Sequence, residues 1–143
     1  MEAAAEDAAA TTAHADERET AELARALGAG TVGRGMPAGS AGALAELERQ
    51  QKTRAKRMQR DALDRALTDL TSFYRDVLVV QLGAAVGLVN EEVRPAVVAA
   101  AAAAAPEQTV RRIDAILACR TAIDGNVAPL LAVEAMALTL RAA

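Results

Sequence analysis

The stretch Asp61–Leu82, DALDRALTDLTSFYRDVLVVQL, decides the fold class. Leu63, Leu67, Leu70, Tyr74, Val77 and Leu78 recur at intervals of three and four, which puts them on one face of a helix. The polar residues keep the same phase. Asp61 with Arg65, and Arg65 with Asp69, stand four apart and can pair along the exposed side, each pair contributing a few tenths of a kcal/mol. Upstream the helical pattern extends to Ala43, but between Arg49 and Arg60 it has no apolar stripe, which predicts a solvated helix projecting from the folded part.

Downstream, the interval Gly83 to Gly87 breaks the helix. Asn90 suits a helix cap, with Glu91 and Glu92 well placed in the first turn of a second helix running to about Ala105. Pro106 ends that helix and Glu107 opens a third, with the stripe Val110, Ile113, Ile116, Leu117 and Ile123, closed by Gly125 and Asn126. Pro129 fits the first position of a fourth, where its missing amide hydrogen costs nothing. That helix, Pro129 to Arg141, is apolar nearly all round and so calls for burial on more than one side.

Composition agrees with an all-α bundle of four to five helices with a long first helix. Alanine fills 38 of the 143 positions, and Phe73 and Tyr74 are the only aromatics. Ala and Leu enter helices at least cost, whereas strand formers are scarce here. Three segments are expected: an acidic, Ala-rich helix or tether at 1–27, a Gly-rich linker at 28–42, and a helical domain at 43–143. The first holds seven acids against two arginines and would be stopped by Gly28 in a left-handed conformation.

Several functions are disfavoured. No run of about 18 strongly apolar residues is present, and the start is acidic where an export signal would be basic and then apolar. A cytoplasmic protein without a membrane span is expected. The net charge of -3 argues against a dedicated nucleic-acid binder. The basic run Arg49, Lys52, Arg54, Lys56, Arg57 and Arg60 is a weak candidate for nucleic-acid contact, since it lacks interleaved aromatics; the solvated-helix reading is preferred. Gly28–Gly35, GAGTVGRG, has the glycine spacing of a phosphate-binding loop. However, Arg34 and Gly35 stand where lysine and a hydroxyl residue are needed, and no apolar strand precedes it. Cys119 alone cannot form an internal disulfide or a structural zinc site, and reads as a packing residue. His14 has no second histidine beside it. No nucleophile, base and orienting acid can be assembled, so no catalytic site, metal or cofactor is expected.

Two segments carry a family likeness. QKTRAKRMQRDALDRALTDLTSFYRDVL, Gln51–Leu78, and RTAIDGNVAPLLAVEAMALTL, Arg120–Leu140, resemble the opening and closing helices of the C-terminal collar domain of the bacterial DNA polymerase III delta-prime subunit. The second departs from the family pattern at Ala128, commonly asparagine, and at Leu130, commonly arginine. The resemblance implies a non-catalytic scaffold that packs against the motor and delta subunits of a clamp loader. Such a scaffold is an accessory part of the polymerase holoenzyme, associated only indirectly with primed DNA. In that family an ATPase-like module precedes this domain; these 143 residues contain none, which implies a fragment or a natural short form.

Residues expected at a subunit interface are Asp61, Arg65, Asp69, Tyr74, Arg75 and Asp76 along the long helix, with Asn126 from the turn before the last helix and Leu131 and Leu138 from that helix. Arg120 and Glu134 stand equally far from a turn near Val127, and a partly buried ion pair between them is expected if the last two helices form a hairpin. The alternative reading is an unrelated helical interaction or homo-oligomerisation module, although only about two heptads of stripe favour a coiled coil.

Overall fold

The computed structural model describes residues 2–28 and 39–142. They form an all-α protein of five helices: α1 Glu2–Ala26, α2 Ser40–Gln81, α3 Arg94–Ala103, α4 Pro106–Asp124 and α5 Pro129–Ala142, with one 3-10 turn at Glu91–Val93 before α3. Among the described residues no helix is long and apolar enough to cross a membrane. Two compact units are present, Met1–Gln59 and Arg60–Ala143, with the division inside α2.

The first unit owes this boundary to side chains from the early part of α2. The Gln51 amide donates to the Asp16 carbonyl at 3.0 Å, and Arg54 reaches Asp16 and Glu19 at 2.5 and 2.7 Å. The segment read as an acidic helix or tether is a helix over Glu2–Ala26, antiparallel to the start of α2. Gly28, with φ of 87°, ends α1 as expected. The linker expectation covers residues 29–38, which lie outside the described residues, as does nearly all of the glycine-rich phosphate-loop segment; residues 40–42, assigned to the linker, are helical.

In the second unit the stripe on α2 meets α4 and α5. Leu67, Ile116, Cys119, Ile123 and Ala132 form the buried cluster, flanked by Leu63, Leu70, Tyr74, Val133, Met136 and Leu140. Val77 of α2 and Val97 of α3 are fully buried further along. The Arg112 guanidinium lies over the Tyr74 ring, 5.8 Å from its centre, and Phe73 meets Tyr74 edge-on at 5.5 Å. At the end of α2, Gln81 donates to the Ala101 and Ala104 carbonyls and so satisfies acceptors that the last turn of α3 leaves open.

The buried face of α4 differs from the expected stripe by about one residue. Thr109, Ile116, Cys119 and Ile123 are buried, whereas Val110 and Leu117 are substantially exposed. Thr109, polar by type, belongs to the inward face because it stands one heptad before Ile116.

Ile116→Ala removes a fully buried side chain and should cost about 2–4 kcal/mol, read as a lower urea midpoint. Leu117→Ala, next to it on the outward face, should cost less than about 1 kcal/mol in the same measurement.

Candidate docking surface

The last two helices make a tight antiparallel hairpin because the turn between them is chemically prepared. Asn126 adopts the left-handed conformation with φ of 66°, a position tolerated by asparagine. Its amide then donates to the Ile123 carbonyl at 3.1 Å and the Val127 amide to the Ala122 carbonyl at 2.9 Å, the two bonds of a Schellman ending. Pro129 starts α5, and the Ala128 carbonyl accepts from the Ala132 amide at 3.1 Å.

Small side chains let the two backbones approach. Ala115, Ala118 and Ala122 of α4, with Ala132 and Ala135 of α5, floor an open groove of about 590 Å³, walled by Leu131 and Met136 and edged by Arg111 and Asp114. α5 turns Ala132, Val133, Met136 and Leu140 toward the core. Leu130, Leu131 and Leu138 are left 69%, 60% and 67% exposed. A helix expected to be buried on more than one side is therefore buried on one, with Leu131 open on the groove and Leu138 a heptad further along the same side. Contiguous exposed apolar surface of this kind marks interaction sites.

The expected interface residues separate into two groups. Asp61, Arg65 and Asp69 are exposed on α2, without ion pairs among themselves, and Asn126, Leu131 and Leu138 are exposed on the hairpin. Tyr74 is half-buried under Arg112. Asp76, expected outward, is fully buried. It accepts from the Val89 amide at 2.9 Å, from the Asn90 amide and Asn90 Nδ2 at 2.7 Å each, and from Arg75 Nη1 at 2.6 Å. Arg75 also donates to the Gly87 carbonyl. Asn90 thus spends its side chain on Asp76 and Ser72 rather than on capping, and a 3-10 turn takes the place of the first turn expected there. Burial alone would raise the Asp76 carboxyl; the donors from Asn90, Arg75 and Val89 outweigh it and hold the group well below its ordinary range. The sequence signal is an acid directly before Val77, followed by a loop whose Val89 and Asn90 amides can return to it, but helical phase points it away from the stripe.

The expected Arg120–Glu134 pair is replaced. Arg120 binds Asp64 of α2, with its Nε 2.9 Å and a terminal nitrogen 2.8 Å from Oδ1, while Glu134 is exposed. Equal distance from the turn places both at one level, but rotation decides the outcome. Arg120 follows Cys119 toward α2, where Asp64 precedes Leu67 by one turn, whereas Glu134 is about 200° around α5 from the buried Ala132. Next to this pair Arg60 donates to the Ile123 carbonyl, and the residues enclose a small polar recess of about 180 Å³.

Cys119 is buried in the core cluster, and burial pushes its thiol up, as suits a packing residue. His14 sits exposed on α1, 3.5 Å from Glu17. No group of three or more potential metal ligands comes together among the described residues. In comparisons with known proteins, no family model, no curated protein and no solved structure matches the chain.

Asp76→Ala strips the partner from buried donors and should destabilise by about 2–4 kcal/mol. Because the folded carboxyl titrates below its ordinary 3.8, the stability it provides is complete above that value and is lost as pH falls through it toward the depressed folded one. Denaturant melts of Asp76→Asn should consequently decline less with acid below about pH 4 than those of the native chain.

Proposed function

We propose that this chain is a non-catalytic assembly module, the collar part of a bacterial clamp-loader subunit of the delta-prime type, working in the cytoplasm by docking against sister subunits. The observation that carries the reading is Leu131, exposed on the lining of an alanine-rich groove, with Leu138 exposed one heptad further along the same side of α5. Such a floor accepts the side-chain ridge of another helix, and leucines at its rim exclude water from the contact. The two family-like segments support the choice of partner: Gln51–Leu78 contributes the stripe of α2, and Arg120–Leu140 contributes the hairpin that bears the groove. Partners are the motor and delta subunits, and primed DNA is reached through them. No cofactor enters the reading, because complementarity of surface does the work.

Size-exclusion chromatography of the full chain with purified motor and delta subunits tests this. A heteromeric complex is expected, and Leu131→Asp with Leu138→Asp should weaken it at least tenfold without changing helical content, since both positions are already exposed. A chain that elutes alone from the mixture overturns the assignment. One that pairs only with itself, through the same leucines, identifies a homo-oligomerisation module instead.

A further inference from the structure

α2 carries a second surface, in the other unit and independent of the docking reading. Between Glu48 and Asp61 it has no acidic residue. With 3.6 residues per turn, Arg49, Lys52, Lys56 and Arg57 fall within an arc of about 140°. Gln51 and Arg54 point roughly the opposite way, and these are the residues that bind α1. The hairpin therefore sorts the basic run. Arg54 is spent on Asp16 and Glu19 and offsets one of their two charges, while Arg49, Lys52 and Lys56 face away from α1 and Arg57 lies to the side, about 60° around the helix from Arg54. Arg49 and Lys52 make ion pairs with Glu46 and Glu48 along the helix, yet remain 75% and 73% exposed; such exposed pairs give way readily to a competing anion. Lys56 and Arg57 are exposed. Arg60 is not counted, because it donates to the Ile123 carbonyl.

The chemistry of the stripe narrows its partner. From Arg49 to Arg57 the sequence RQQKTRAKR contains no large apolar residue, so a folded protein would find no apolar centre to desolvate. A lipid surface would find nothing to bury below its headgroups. Without aromatic rings, single-stranded bases have nothing to stack on. What remains is a regular row of long cations over about 12 Å, a length of duplex axis that displays about seven phosphates.

We propose that Arg49, Lys52, Lys56 and Arg57 form a sequence-independent binding surface for the phosphate backbone of duplex nucleic acid. Binding neutralises phosphates and releases counterions, so it weakens steeply with salt. Arg54 holds the Asp16 and Glu19 carboxylates of α1 outside the stripe.

Fluorescence anisotropy of the full chain with labelled 20-base-pair duplexes of two unrelated sequences provides the test. Binding is expected at about 50 mM salt, equal for both sequences, with a slope of log K against log salt of about -3 to -4 for four contacts. Lys56→Glu with Arg57→Glu should weaken it at least tenfold. Arg18→Glu with Arg25→Glu, an equal reversal of two exposed charges on α1, should change it by less than about twofold, which separates the stripe from net charge. Circular dichroism checks that both variants keep their helices. Absence of binding at low salt, a flat salt dependence, indifference to the reversal at Lys56 and Arg57, or a polyglutamate peptide binding as tightly as duplex each overturns the proposal. Because the variant at Lys56 and Arg57 leaves Leu131 and Leu138 untouched, it should still join the motor and delta subunits, so the two readings fail separately.

Discussion

A carboxylate without solvent is the constraint around which the second unit is organised. Burying the Asp76 charge would cost several kcal/mol if it stood alone, and a domain this small has little stability to spare. The chain meets the cost by folding the loop after α2 back along it, so that the amides of Val89 and Asn90 converge on the buried oxygens. The same return directs the chain into the 3-10 turn and α3, whose last carbonyls are taken up by Gln81 from the end of α2. One acid thereby sets the path of the connection and the seat of the helix that follows.

Much of this was legible beforehand. The stripe from Leu63 to Leu78 needs nothing but helical periodicity to be read, and Pro106, Pro129 and the Gly125–Asn126 pair mark their boundaries through backbone chemistry alone. What escaped depends on contacts between distant residues. Phase placed Asp76 outside because it stands off the apolar stripe, and only the returning loop makes that side an interior. The salt bridge of Arg120 failed for a related reason: counting from a turn gives the level of a residue but not its rotation, and rotation chose Asp64 over Glu134. Thr109 gives no apolar signal because its side chain is polar by type, although it lies in register with Ile116 and Ile123. On the candidate surface, Leu131 and Leu138 were named from sequence and stand exposed, whereas the alanine floor beside them was not singled out, since alanine in a helix looks the same whether it is buried or open.

The shortage of bulky side chains has its own effect. With two aromatics and many alanines, the core gains its density from close backbone approach rather than from large interlocking groups. The α4–α5 hairpin shows this best, where a turn made rigid by Asn126 brings two small-residue faces together. Fewer methylenes are then buried per residue, and the larger apolar groups that remain, Leu130 and its neighbours, have no interior left to enter.

The lone thiol of Cys119 turns this economy of packing into a clock. Packed against Leu67, Ile116 and Ile123, lining the inner side of the α4–α5 groove and kept protonated by its surroundings, it meets a sulfhydryl reagent fully only during excursions that loosen the packing around it. Its labelling rate therefore counts those excursions directly, in a protein that needs no engineered probe to report them.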